Sequence, residues 1–197
     1  MKERPILMSA PMVRALLAGT KSQTRLVVKP QPTHFSPTGV PRRVNPDGGA
    51  SAVIACPYGQ PGDGLWVRES FAADKVAGRP LLPGQRIVYR ADWDGLGDED
   101  VRWTLSIHMP RWASRITLEV TGVRVERLQD ISDADAIAEG IEPAAAGYWR
   151  LYGRAADGDM DRSPRVAYRA LWESINGPGS WNANPWVWCV EFKKEPT

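Results

Sequence analysis

The segment Gly19-Thr20-Lys21-Ser22-Gln23-Thr24-Arg25 sets a lysine, a threonine and an arginine directly after a glycine suited to a helix end. An ammonium and a hydroxyl so close in sequence can converge on one small ligand. A threonine hydroxyl is a poor nucleophile until a base takes its proton. A lysine serves as that base only when burial or a neighbouring cation lowers its pKa. Backbone N–H groups after Gly19 or Arg25 could hold an oxyanion, so the segment could attack an amide. The plainer alternative is that Lys21 binds helix-end carbonyls and Thr24 is an ordinary strand residue. A second segment, Arg111-Trp112-Ala113-Ser114-Arg115, interleaves cations with an aromatic and could grip a phosphate while stacking a base. Its alternative is a strand entry in which Trp112 covers one end of the core. Arg68 could pair with a carboxylate or phosphate.

These residues need elements to position them. Arg4–Met8 reads as a first strand. Ser9 as N-cap and Pro11 in the first turn open a helix carrying Met12, Val13, Leu16 and Leu17, and Gly19 ends it. Residues 24–29 turn β-like. Residues 30–62 are rich in Pro, Gly, Ser and Asn and predict a long irregular excursion. Strands are predicted at 65–69 and 86–91, with an acidic surface loop at 92–100. Residues 114–128 alternate: Ile116, Leu118 and Val120 face one way, Thr117, Glu119 and Thr121 the other, with a bend or second strand near Gly122. Ser132-Asp133-Ala134-Asp135 reads as a capping box for a short helix ending at Gly140. After a polar insertion at 145–161, Ser163-Pro164 opens a helix with Val166, Ala167, Ala170, Leu171 and Ile175 along one side, ended by Gly177. Residues 186–193 close as a strand. The order is mixed α+β, and short strands with few helices suggest a small, partly closed barrel or curled sheet.

The bulk numbers bound the function classes. The chain has 197 residues, of which 43% are hydrophobic and 24% charged, which suits one packed domain. No apolar run approaches the roughly 18 residues of a membrane span. Met1–Pro5 lacks the apolar stretch of a secretory signal, so a cytoplasmic protein without a membrane partner is expected. Two cysteines, Cys56 and Cys189, and two histidines, His34 and His108, offer no zinc spacing; no metal and no cofactor are expected. A net charge of +2 is mild for a nucleic-acid binder, so such a role would need a local patch or a base pocket. Packing should explain most of the nine tryptophans, with one or two left to stack bases.

Gly19-x-Lys21-x-x-Thr24 after an amphipathic helix resembles the signature of ASCH domains, PUA-like β-barrels associated with RNA. Pro61-Gly62-Asp63-Gly64-Leu65, Ile116–Thr121 and Trp188–Phe192 resemble, in order, three further segments of that family. The likeness implies a single domain over 1–197: a small mixed PUA-like β-barrel with peripheral helices and long insertions at about 30–60, 72–112 and 143–162. Cys56-Pro57-Tyr58-Gly59, Trp66-Val67-Arg68-Glu69 and His108–Arg115 also resemble ASCH-containing phage and prophage proteins. One small ASCH enzyme, an N4-acetylcytidine amidohydrolase, uses a Lys/Thr/Glu set. By motif the resemblance carries the lysine and threonine to Lys21 and Thr24 and the glutamate to Glu139. The arginine expected five positions after the lysine is Leu26 here. Arg25 lies one residue early, which in a strand puts it on the other face. Glu69 is the rival carboxylate.

The resemblance thus implies an amidohydrolase acting on an acylated nucleoside or modified base. Catalytic residues would be Lys21, Thr24 and Glu139 or Glu69. Binding residues would be Arg25, Arg68, Arg111, Trp112 and Arg115. Thr24 would take the acyl group and water would release it. The alternatives are a non-catalytic module binding RNA or a modified base, and a phage assembly accessory.

Overall fold

The computed structural model describes residues 1–45, 49, 51–73, 82–93, 101–151 and 159–196. In chain order these form β1 (Glu3–Leu7), α1 (Ala10–Leu17), β2 (Gln23–Val27), β3 (His34–Phe35), β4 (Pro41–Arg43), β5 (Ala52–Val53), β6 (Gly64–Arg68), β7 (Phe71–Ala73) and β8 (Ile87–Tyr89). Then follow β9 (Thr117–Arg127), α2 (Asp133–Ala138), β10 (Trp149–Arg150), β11 (Met160–Asp161), α3 (Pro164–Asn176) and β12 (Trp186–Lys194). The class is mixed α+β, as the residue pattern predicts.

One sheet organises the chain, in the order β1-β6-β9-β12-β2. β1 and β6 run parallel, and every other neighbour is antiparallel. Alternation along β12 sorts the two faces. Trp188, Val190 and Phe192 join Ile6, Leu65, Leu118 and the α1 residues Val13 and Leu16 in one core; Val187 joins the α2 and α3 residues Ala136, Ala167, Leu171 and Trp172 in a second. The sheet is therefore covered by α1 on one face and by α2 and α3 on the other. Among the described residues no pairing joins β1 to β2, and no closed barrel is detected. No helix among them is long and apolar enough to cross a membrane.

β9 is one strand rather than two, and it carries the irregularity that matters most. Glu191 pairs with Gly122 but Phe192 pairs with Val120, leaving Thr121 as an extra residue. Such a bulge reverses the in–out parity. Ile116, Leu118 and Val120 face the α1 core before it, and Val123 and Val125 pack on that core after it. Arg124 and Glu126 are thereby sent to the opposite face, toward α2.

Several expectations change. Residues 30–62 are not wholly irregular: β3, β4 and β5 form a small antiparallel sheet. The region 72–112 holds the β7–β8 hairpin, which leans on Met109 and Ala113. Within the predicted acidic loop, Arg90–Asp92 is a 3-10 turn, and 94–100 lie outside the described residues. The insertion at 143–162 contributes β10 and β11, and 152–158 lie outside the described residues. The buried stripe of α3 is Pro164, Ala167, Tyr168, Leu171 and Trp172. Val166 and Ile175, expected inside, are exposed, because the aromatic pair Tyr168 and Trp172 offers more apolar area to bury than the two aliphatics.

Candidate active site

The α1–β2 connection is built by local rules. Gly19 has φ +73°. Its N–H donates to Leu16 O at 3.1 Å, and Thr20 N–H donates to Ala15 O at 2.9 Å, the paired bonds of a Schellman cap. The turn delivers Lys21 into a bridge with Glu139, and Ser22 N–H donates to Ala138 O at 2.9 Å. On the other side, Ser132 and Asp135 form the expected capping box of α2, and Gly140 at φ +84° ends the helix. A Cβ on Gly140 would lie 2.8 Å from both the Ala15 and Lys21 Cβ atoms. Glycine is therefore required there for conformation and for contact.

Lys21 is fully buried, and all three ammonium donors are used. Nζ donates to Gln23 O at 2.8 Å, to Glu139 O at 2.8 Å and to Glu139 Oε2 at 3.2 Å. Burial pushes its pKa down, and the adjacent Glu139 opposes the shift. The other Glu139 oxygen, Oε1, accepts from Arg25 Nη1 at 3.0 Å. Arg25 also donates from Nε to Glu126 Oε1 at 3.0 Å and lies 3.4 Å from Asp135 Oδ2. Burial alone would make Arg25 easier to deprotonate, but Glu139 and Glu126 outweigh it, so it stays a cation.

A second tier supports the first. Gln23 Nε2 donates to Asp135 Oδ1 at 3.0 Å. Arg124 bonds Glu126 Oε2 at 3.0 Å, Asp135 Oδ1 at 2.9 Å and Glu191. Partial burial would raise the Asp135 pKa, yet hydrogen bonds from Ser132 and Gln23 and the charges of Arg25 and Arg124 hold it down to about 2. Burial keeps the Cys189 thiol protonated, with its pKa pushed up to about 12.

Beside this network is a cavity of about 520 Å³ whose lining includes Thr24, Arg25, Glu139, Tyr168, Met12 and Trp172. Thr24 and Tyr168 are only 5% and 3% exposed. Neither hydroxyl has a hydrogen-bond partner among the described residues, and the same lining holds Trp172, whose buried Nε1 is also unpaired.

The structure thus brings Lys21, Arg25 and Glu139 into contact and puts Thr24 on the same cavity as Arg25 and Glu139. Glu69 belongs elsewhere. It is buried and takes a two-point ion pair from Arg115, with Nε at 2.9 Å from Oε1 and Nη2 at 3.1 Å from Oε2. Burial raises the Glu69 pKa and Arg115 opposes this. No hydrogen bond or ion pair among the described residues joins Glu69 to Lys21 or Arg25.

The two arginines of the predicted phosphate grip are paired with carboxylates. Arg115 is held by Glu69 and Asp92 and lies 3.9 Å from the Tyr89 ring centroid. Arg111 pairs with Glu3, and Trp112 sits in a 3-10 turn at 36% exposure. Among the described residues Arg68 meets no carboxylate: its Nε donates to Met109 O at 2.9 Å and its guanidinium lies 5.1 Å from the Trp66 centroid.

Sequence reasoning missed Gln23, Arg124, Glu126, Asp135 and Tyr168. The signal for Arg124 and Glu126 was the extra residue between the Ile116–Val120 and Val123–Val125 alternations. Tyr168 and Trp172 were readable as an i, i+4 aromatic pair. Among the described residues, no group of three His, Cys, Asp or Glu could hold a metal ion. Compared with protein-family models, curated proteins and solved structures, the chain matches none.

Proposed function

We propose that this chain is an ASCH-type, PUA-like amidohydrolase. It takes an N-acylated base or nucleoside into the cavity beside β2 and cleaves the acyl amide through Thr24, with Lys21 and Glu139 in support. The observation that carries the reading is the pair of unpartnered hydroxyls, on the buried residues Thr24 and Tyr168, that line one cavity with Glu139 and Arg25. A ligand carbonyl or N–H would satisfy groups that folding left open.

In the reaction, Thr24 Oγ1 attacks the acyl carbon and its proton passes to Lys21. The C–N bond breaks, and the amine leaves with that proton. Water then cleaves the Thr24 ester and releases the carboxylic acid. Lys21 must be neutral to begin, which means giving up a proton and one of its three acceptors. Burial, which depresses its pKa, favours that loss. Glu139 holds Lys21 and Arg25 in place through its two oxygens.

One observation favours a second reading, a pocket that binds a modified base without cleaving it. The Lys21 ammonium is saturated by two carbonyls and a carboxylate and so has no lone pair for Thr24. Incubation with N4-acetylcytidine, followed by chromatography for cytidine, separates the two. Product with wild type and none with Thr24→Val supports hydrolysis. Calorimetric binding without product supports the second reading. Neither binding nor product refutes both.

A further inference from the structure

The cavity runs along the open edge of β2 rather than over a face of the sheet. Four consecutive residues, Thr24, Arg25, Leu26 and Val27, all line it. A face would be lined by every second residue. Among the described residues β2 pairs only with β12, and its other edge carries no strand. The ladder fixes which backbone groups point outward. Phe192 N–H donates to Ser22 O at 2.9 Å, and Val28 N–H donates to Trp186 O at 3.0 Å. In an antiparallel pair the bonded positions alternate, so Ser22, Thr24, Leu26 and Val28 face β12. Gln23, Arg25 and Val27 turn their N–H and C=O groups the other way. The Gln23 carbonyl is taken by Lys21 Nζ at 2.8 Å. The main-chain N–H and C=O of Arg25 and Val27 have no partner among the described residues.

We infer that this stretch of main chain is the recognition edge of the cavity. It reads a planar, amide-bearing heterocycle through a donor and an acceptor set side by side. Each outward-facing residue of an antiparallel strand offers that closely spaced pair. An N-acylated base presents the complement, an N–H next to a ring or carbonyl acceptor. A short, flat ligand is favoured over an added strand by the length of the edge. Lys21 blocks it at Gln23 and the chain leaves the strand after Val27, so of the outward residues Gln23, Arg25 and Val27 only the last two are open. The walls suit a flat ring: Trp172 and Tyr168 on the α3 side, Met8 and Met12 on the other. Side chains at 25 and 27 are not needed for this contact. The Arg25 guanidinium is committed to Glu126 and Glu139.

The inference rests on the cavity being the ligand site, and not on hydrolysis. Its test replaces the backbone amide preceding Arg25, or that preceding Val27, by an ester, removing one outward N–H and leaving every side chain. These N–H groups take no part in the ladder to β12, but each ester also weakens the Thr24 or Leu26 carbonyl that faces β12, so both variants should still melt cooperatively, somewhat below wild type. Calorimetry with N4-acetylcytidine should show about tenfold weaker binding for at least one ester variant. N4-acetyl-N4-methylcytidine, which lacks the ligand N–H, should bind wild type about tenfold more weakly than N4-acetylcytidine does. Wild-type binding by both ester variants overturns the inference while leaving the cavity as a ligand site. No binding by wild type overturns the ligand site and the inference together. A concentration-dependent dimer, seen by sedimentation and weakened by either ester, would assign the edge to a second copy of the chain and overturn the inference.

Discussion

Lys21→Met should cost this protein a large part of its stability. Methionine keeps most of the volume and loses the charge and the donors. Three acceptors lose their partner: Gln23 O, Glu139 O and Glu139 Oε2. Removing one member of a buried ion pair costs about 3–5 kcal/mol, and each buried carbonyl left bare costs about 1–3 kcal/mol. The contributions overlap, since one relaxation of the Glu139 loop relieves several. Glu139 also keeps Arg25 at 3.0 Å. A net loss of about 3 kcal/mol is expected, against a total near 5–15 kcal/mol. For a chain of this length that is a fall in melting temperature of roughly 6–12 °C. The loss should also grow with pH. The folded state holds the Lys21 proton less tightly than the unfolded chain does, so unfolding takes up a proton and wild-type stability rises as pH passes the folded pKa toward about 10.4. The methionine variant lacks that rise. Urea unfolding of both proteins from pH 7 to 10 measures the gap. A loss under about 1 kcal/mol, or a gap that narrows with pH, would refute the picture of Lys21 as a saturated buried cation.

Thr24→Val, in contrast, removes a hydroxyl with no partner and should change urea-unfolding stability by no more than about 0.5 kcal/mol, even as it abolishes any hydrolysis. Gly140→Ala puts a Cβ 2.8 Å from the Ala15 and Lys21 Cβ atoms at φ +84°. Left-handed strain and overpacking together predict a loss of about 2–4 kcal/mol in the same assay. Asp135 has its folded pKa lowered to about 2, so it stabilises the fold above its ordinary value of 3.8, and that contribution disappears as pH falls from there toward 2. Asp135→Asn should flatten acid unfolding followed by circular dichroism in that window. Deleting Thr121 removes the bulge but keeps each β9–β12 pair, so Val123 and Val125 stay on the α1 core and Arg124 and Glu126 on the α2 face; a cooperative melting transition should remain.

What could be read in the sequence and what could not divides along sequence distance. The Gly19 cap, the Ser132 box and the Gly140 stop are short-range patterns, so their residues announce them. The elements that carry Lys21, Thr24 and Glu139 follow from those patterns. The partners of Arg25 do not, because Glu126 and Glu139 lie 101 and 114 residues away and reach it only once β9, β12 and β2 are in register. Short strands such as β3 and β5 carry too few residues to show alternation.

The fate of Arg25 shows how one register decides the chemistry. Its position next to Leu26 correctly puts it on the face away from the α1 core. That face was expected to take it out of the place of the family's arginine. Two features bring carboxylates to it on that face. The bridge from Lys21 to Glu139 folds the α2 terminus over the Arg25 face of the sheet. The extra residue at Thr121 then turns Glu126 and Arg124 toward the same space. An even strand would have left Arg25 facing Val123 and Val125, an uncompensated cation that the core would have to expel. The bulge in β9 is therefore what permits a buried arginine in β2. With Arg25 held by its side chain to carboxylates, the β2 edge beside Thr24 is left to the main chain.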